Sequence, residues 1–359
     1  MTTGRGAGDV RVRVVDAAAM SPALVAAWAR VQESDPELAS PFLRPEFTLA
    51  VAAIRSDVRV GVLERGDAPV GFFPFVRRFG AVGAPVASSV SDCQAVVIAG
   101  DVAWATRDLL AGCGLSGMEF NHLLASQAAW AGCHGRVAAS PLIDLRLGYE
   151  AYRRERREAG SEQIRKAEGL ARKLEREVGP IRFDPCSTDP ADLAWLVERK
   201  RAQCEAKGRT DAMSTPFVRR LLDRLLAVRE PGFAGMLSCL RAGDRVVAAH
   251  MGMRSRTRWH YWFPCYDESL AKYSPGITLL LRMAECAPSM GIDSIDLGKG
   301  DAAYKQRLMN ASVSVCEATA WADSPMASMA RWIVAGRHSL RRSPLSGAAR
   351  TLQRWLSAA

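Results

Sequence analysis

No run of roughly eighteen or more apolar residues occurs in the 359-residue chain, so no membrane-spanning helix is expected. Its first residues, MTTGRGAGDVRVRVV, lack the apolar core of a secretion signal, which points to the cytoplasm. Nine cysteines are scattered from Cys93 to Cys316 without a C-x-x-C pair. That pattern argues against a disulfide framework and against a zinc or other metal site, and fits small apolar fillers in a reducing compartment. Acidic residues are absent after Asp323, whereas Arg331, Arg337, Arg341, Arg342, Arg350 and Arg354 lie beyond it. Removing those six charges from the net +10 leaves only +4 for the chain up to Asp323. A nucleic-acid partner is therefore not expected, and no nucleic-acid motif is present. There is no P-loop, no G-x-S-x-G elbow, no Ser-His-Asp order and no metal-ligand pair. Direct group transfer without a covalent enzyme intermediate is what the remaining groups permit.

What is present is an ordinary globular composition, 48% hydrophobic and 24% charged, at a length that favours two domains. Strand patterns recur at 11–15, 58–65, 69–78, 95–98, 116–120 and 141–145, with helix patterns opening at Ser21-Pro22 and Pro45-Glu46 and spanning 101–110 and 121–130. A first domain is expected over 1–148. Residues 149–178 read as one linker helix of mixed charge, with Ile164, Ala167, Ala171, Leu174 and Val178 as its apolar stripe. This helix opens a second domain, 149–325, that continues with strand 181–186, helices ending at Gly208 and starting at Thr215-Pro216, and three antiparallel strands up to Asp267. The tail, 326–359, splits at Ser343-Pro344 into two basic, Trp-containing helical pieces. Such pieces suit either packing on the domain or an anionic membrane surface. The fold class is α/β (α+β). One internal echo supports duplication. LERGDAPVGFF (63–73) and LRAGDRVVAAH (240–250) align at a constant offset, Leu63 on Leu240, Gly66 on Gly243, Asp67 on Asp244 and Val70 on Val247.

The groups able to do chemistry concentrate in 258–308. Tyr273-Ser274-Pro275-Gly276-Ile277 sits between an aromatic strand and a helix. Ser at the N-cap and Pro at N1 make either a plain capped helix or, through free N–H groups and the dipole, an anion site. Asp296-Leu297-Gly298-Lys299-Gly300-Asp301 follows a strand and reads as a binding loop. Lys299 and Lys305 there suit phosphate, and Tyr304 can donate a hydrogen bond. His250, mid-strand among small residues, is either a satisfied structural histidine or the best general base available. Strand alternation places His260 with Trp262 on one face, and Trp259, Tyr261 and Phe263 on the other, with one face lining a pocket.

HYWFPCYDESLAKYSPG, a helix, and then GIDSIDLGKGDAAYK resemble the CelD-like branch of the GNAT acyltransferases, linked to cellulose and exopolysaccharide biosynthesis and similar in fold to Fem-type aminoacyltransferases. The first half is similar more loosely, through FLRPEF (42–47), GFFPF (71–75) and Ser91-Asp92-Cys93-Gln94. The resemblance implies two tandem GNAT-like domains, each a mixed, mostly antiparallel sheet with helices on both faces. It implies acetyl-CoA or another acyl-CoA as donor, with an amine or hydroxyl of a sugar-linked or envelope precursor as acceptor. The pyrophosphate would lie on Tyr273, Ser274, Pro275, Gly276 and Ile277, and the pantetheine arm along Trp262, Phe263 and Pro264. His250 by preference, or Asp296, would act as base, with Tyr266 or Tyr304 protonating the thiolate. The acceptor would meet His260, Lys299, Asp301, Tyr304 and Lys305. The usual Q/R-x-x-G-x-G/A pyrophosphate signature is absent and Tyr273-Ser274-Pro275-Gly276 replaces it. Fem-type relatives use aminoacyl-tRNA as donor, which keeps that alternative open beside a non-catalytic accessory role.

Overall fold

Two β-hairpins set the frame. The computed structural model describes residues 10–88, 90–208, 211–325 and 327–332. The strands of the first half are β1 (Val10–Asp16), β2 (Val58–Arg65), β3 (Ala68–Arg77), β4 (Val82–Ala84), β5 (Val97–Ile98), β6 (Gly117–Leu124) and β7 (His134–Asp144). Those of the second half are β8 (Ile181–Asp184), β9 (Arg229–Glu230), β10 (Phe233–Ala242), β11 (Arg245–Ser255), β12 (Arg258–Tyr266), β13 (Ser294–Asp296) and β14 (Ala311–Trp321). The β2–β3 and β10–β11 hairpins each turn on a Gly-Asp pair whose glycine, Gly66 or Gly243, has φ of +63° or +61°. Such values are disfavoured for residues with a side chain, which is why glycine stands at both turns. Each hairpin also carries a register shift at the same place, between Leu63 and Glu64 and between Leu240 and Arg241.

The offset that sets Gly66 on Gly243 runs well beyond these hairpins. It also relates the starts of β3 and β11, at 68 and 245, of β6 and β13, at 117 and 294, and of β7 and β14, at 134 and 311. The strands form one continuous sheet in the order β1-β2-β3-β4-β6-β14-β7-β13-β12-β11-β10-β8, with β5 on β3 and β9 on β10. The order is symmetric about the β14–β7 pair, and each half's last strand lies in the other half's sheet. Gly117 pairs with Trp321 and Ser294 with Asp144, one register repeated at that same offset.

Helices α1 (Pro22–Glu33), α2 (Pro45–Ala52) and α3 (Thr106–Gly112) belong to the first half. They are followed by α4 (Tyr149–Glu158), α5 (Gln163–Glu177), α6 (Pro190–Ala206), α7 (Pro216–Leu226), α8 (Pro275–Cys286) and α9 (Ala303–Leu308). One core joins the halves, with Phe42 and Phe47 beside Leu221, Leu225, Trp262 and Phe263. A second packs α5 and α8 through Ile164, Ala167, Leu174 and Leu279, and a third packs α3 through Leu109 and Leu110. A core shared across the halves makes their separation costly, because its apolar side chains would return to water.

Several sequence expectations are corrected. The helix expected over 149–178 breaks at Gly160, which has φ of +78°, and becomes α4 and α5. The stripe nevertheless holds, with Ile164, Ala167, Ala171 and Leu174 buried. Residues 121–130 do not form a helix: β6 runs on to Leu124, and a short 3-10 turn follows at Ala128–Cys133. The helix expected at 101–110 starts later, at Thr106. The tail expectation lies outside the described residues, apart from 327–332. Among the described residues no helix is long and apolar enough to cross a membrane.

Candidate functional site at the fork of the second half

The two parallel pairings in the sheet each open into a fork. In the second half β12 runs beside β13 only from Arg258 to His260, where His260 faces Asp296. Beyond His260, β12 continues along β11 to Tyr266. The register shift between Met251 and Met253 turns β12 away from β13. His250 fills the space behind that irregularity. Its Nε2 accepts the Trp262 N–H at 3.1 Å, and its ring stacks on Tyr261 at 4.8 Å. A Cβ on Gly252 would run into the His260 carbonyl and the His250 ring, so this position has to be glycine.

A cleft of about 280 Å³ lies along the freed part of β12. Its walls include Tyr261, Pro264, Cys265, Tyr266, the Ser274–Ile277 turn and Tyr304. A Cβ on Gly276 would come within 3.3 Å of the Tyr266 ring, so glycine brings the turn against that wall. Lys200 Nζ donates to the Pro264 carbonyl at 2.8 Å and Gln203 Nε2 to the Tyr266 carbonyl at 3.2 Å, both from α6. Burial pushes the Cys265 thiol and the Tyr304 phenol each up to about 12. Cys265 therefore keeps its proton at neutral pH and is not poised as a nucleophile.

At the closed end of the fork stands a line of charged groups drawn from both halves. Ser140, on β7, donates to Asp296 Oδ1 at 2.6 Å, and the Gly298 N–H donates to the same oxygen at 2.9 Å. Asp296 Oδ2 is 3.6 Å from His260 Nδ1, an ion pair longer than a hydrogen bond. His260 Nε2 is 3.0 Å from Asp92 Oδ2. The His260 ring is wholly buried, and Phe42 packs edge-on against it at 4.9 Å. Burial alone would favour the neutral ring. The two carboxylates outweigh it and raise His260 to about 9, while Asp296, against the same burial, is held well below the usual carboxylate range by His260 and Ser140. His122 Nε2 stands 4.0 Å from Asp92 Oδ1, and burial pushes His122 down. Among the described residues no three His, Cys, Asp or Glu are grouped to hold a metal ion.

The structure distributes the expected site residues unevenly. Tyr266, Ser274, Pro275, Gly276, Ile277 and Tyr304 line the cleft. Tyr273 does not: its hydroxyl donates to Glu177 of α5. Trp262 and Phe263 also lie elsewhere, in the core shared with the first half, where the Trp262 Nε1–H donates to the Val90 carbonyl at 2.9 Å. Phe263 thus joins the face of Trp262, because the register shift breaks simple alternation. Ser274 is not a side-chain cap: it adopts φ 50° and ψ 49°, and the Ile277 and Thr278 N–H groups donate to its carbonyl at 3.0 and 3.2 Å. One donor expected for an anion, the Ile277 N–H, is therefore already used, while the Thr278 N–H makes the ordinary first bond of the helix. His250 has no exposure and is pushed down to about 3 by burial, a poor place for a base that must meet an acceptor. Lys305 donates to the Gly298 carbonyl at 2.8 Å and fastens the loop. Lys299 reaches the Asn121 carbonyl at 3.2 Å, and with Asp301 it lines a different cavity, of about 370 Å³.

The sequence reading missed Asp92, Asn121, His122 and Ser140, all from the first half. Carrying the offset between Gly66 and Gly243 past the hairpin would have set 117–124 opposite 294–301, and so Asn121 and His122 opposite Gly298 and Lys299 of the loop already singled out for binding.

Residues 161–306 match the family described as an acetyltransferase (GNAT) domain. This match, with the fold, makes the chain an acyltransferase with a GNAT-type domain in its second half. No curated protein matches it in sequence. Among solved structures it is similar to FemX, with TM-score 0.57, 8% identity, and coverage of 86% of this chain and 96% of that one. It is also similar to the C-terminal domain of a protein of Agrobacterium fabrum assigned as a lysylphosphatidylglycerol synthetase, with TM-score 0.53, 12% identity, and coverage of 86% and 94%. L-PGS from Bacillus licheniformis gives TM-score 0.50, 10% identity, and coverage of 86% and 95%. Identities this low bear on the fold alone.

Proposed function

We propose, on the premise of a GNAT-type domain over 161–306, that the chain takes an acyl group from acyl-CoA, acetyl being the simplest case. The group passes directly to an N–H or O–H of a sugar-linked or cell-envelope precursor, of the exopolysaccharide kind that the CelD-like resemblance implies. One observation carries this reading: β12 leaves β13 after His260, and the cleft so opened ends on the Ser274–Ile277 turn. A narrow pantetheine arm suits such a cleft, and Tyr304 suits the departing sulfur. A phenol at about 12 keeps its proton against a thiolate whose own acid lies near 8–9, so Tyr304 donates a hydrogen bond rather than the proton itself. Calorimetric titration with CoA and acetyl-CoA tests the reading: saturable binding is expected, and no heat at millimolar ligand would sink it.

A second reading draws on α6. Lys200 and Gln203 already hold the Pro264 and Tyr266 carbonyls. A pantetheine arm pairing with that stretch of β12 must displace them, whereas an aminoacyl ester of the Fem type need not pair there at all. A salt-sensitive gel shift with charged tRNA, together with silent CoA titrations, would select this second donor.

The chain is also proposed to work at the inner face of the membrane, through the basic stretch 326–359. Of its described residues, Met329 and Trp332 are exposed. Removal of 326–359 is expected to abolish sedimentation with anionic vesicles, and unchanged sedimentation rejects the attachment.

A further inference from the structure

We infer that the first half supplies the acceptor-side catalytic group, the Asp92 carboxylate, and that His260 is its positioning residue. The inference deepens the acyl-transfer reading and rests on it. Ser140, Asp296, His260 and Asp92 stand in a line with separations of 2.6, 3.6 and 3.0 Å, the middle step an ion pair rather than a hydrogen bond. Its inner members are sealed, with Ser140, Asp296 and His260 all buried. Asp92 is the end of the line that reaches solvent, its side chain 30% exposed. His260 engages Oδ2, while Oδ1 stands 4.0 Å from His122 Nε2, beyond a hydrogen bond, and is free to meet an acceptor.

A ring fixed between two carboxylates on its two nitrogens has no lone pair to offer and cannot serve as the base itself. What it does is hold one Asp92 oxygen so that the other keeps its aim. The line stands at the closed end of the fork that opens into the donor cleft, since His260 is the last residue of β12 paired with β13. Lys299 and Lys305 brace the opposite side, through the Asn121 carbonyl and the Gly298 carbonyl. A Cβ on Gly298 would lie 3.5 Å from Asp92 Oδ2 and 3.7 Å from the His260 ring, so the loop closes directly over the pair.

The acceptor nitrogen or oxygen adds to the acyl carbonyl carbon, and a C–N or C–O bond forms as the C–S bond breaks. The acceptor's proton passes to Asp92 Oδ1 and from there to water, while the departing thiolate takes one proton from water. Thioester and acceptor X–H give amide or ester and thiol.

Acetyl-CoA as donor, with water and D-glucosamine as acceptor probes, gives a thiol-release assay for this inference. Asp92→Asn keeps the shape and a hydrogen bond to His260. It is expected to lower kcat by at least about 10²-fold, the lower end of what a positioned base contributes, with the calorimetric Kd for acetyl-CoA unchanged. His260→Gln is expected to lower kcat less and to leave KM for the donor unmoved. Undiminished thiol release by Asp92→Asn overturns the inference while leaving the donor reading intact. A wild-type protein that does not bind acetyl-CoA overturns the donor reading instead. Nitrogen-15 imidazole shifts then decide independently of turnover. His260 is expected to be protonated at pH 7.5 despite Lys299, Lys305, Arg258 and His122 nearby, and Asp92→Asn is expected to lower its midpoint. A neutral His260 at pH 7.5 overturns the inference under either donor.

Discussion

The two forks of this sheet are copies that have gone separate ways. In the first half β4 runs beside β6 across Val82–Gly83, and residues 90–96 then return to the opening, where Gln94 bridges Leu123. Gln94 stitches that loop to β6. Its backbone bridges the His122 carbonyl and the Leu124 N–H at 2.9 and 2.8 Å, and its Oε1 takes the Asn121 and His122 N–H groups, each at 3.1 Å. In the second half no such loop returns: β12 passes straight into Tyr266 and the cleft stays open. The closed fork is occupied by its own loop, through the Gln94–Leu123 bridge, and that loop carries Asp92 to the open one. On the proposed reading one copy has become the support of the other's site, which is a use of duplication that a pair of independent domains does not offer.

The sharpest way to break this comparison is to unstitch the closed fork. Gln94→Ala strands the Asn121 and His122 N–H groups and the Asn121 side chain, all at least partly buried. Each unsatisfied buried group costs about 1–3 kcal/mol, so the three together are expected to cost at least about 3 kcal/mol in urea denaturation. Donor affinity of the folded fraction should hold, because nothing in the open cleft touches Gln94. A variant of unchanged stability would mean that the loop is not what keeps the first fork shut.

The charged line between the forks gives the next test. His260 is raised in the fold to about 9 from an ordinary 6.5. Its contribution is therefore complete below pH 6.5 and fades as pH climbs through about 9. The full effect is on the order of 3 kcal/mol, an upper bound because the partners titrate together. Stability measured at pH 6, 7.5 and 9 should fall more steeply for the wild type than for His260→Gln. Thiols such as Cys239, pushed far up by burial, also affect stability at alkaline pH, but equally in both proteins, so the difference isolates His260. Parallel pH curves would show that the ring is not charged in the fold.

Much of the frame was legible in the sequence because it is local. Gly-Asp turns, alternating strands and the Ile164–Leu174 stripe follow from periods of two and of about 3.6 residues. What was not legible is long-range. The exchange of β7 and β14 between halves leaves no local mark, and the line from Ser140 to His260 joins strands from opposite halves of the chain. Asp92 was visible only as part of Ser91-Asp92-Cys93-Gln94, with nothing nearby to say which histidine it would face. His250 misled for the opposite reason. Its chemistry recommended it as a base, and only the register shift, a tertiary feature, showed that its ring is occupied with the Trp262 N–H.

The open fork can be filled by hand to resemble the closed one, and that is the mildest of these perturbations. Gly276 lies against Tyr266 with its Cβ position 3.3 Å from the ring, at a helix start where a larger residue is tolerated by the backbone, since its φ is not positive. Gly276→Val therefore adds branched bulk to the cleft rather than strain to the main chain. Stability should change little, because Gly is already a poor helix former and valine gains about as much from propensity as it loses by pressing on Tyr266. Affinity for acetyl-CoA should weaken at least tenfold, about 1.4 kcal/mol, in the calorimetric titration used for the wild type. If donor affinity survives this filling, the donor does not lie between Tyr266 and the Ser274–Ile277 turn. The asymmetry of the two forks would then have to be explained by something other than cofactor access.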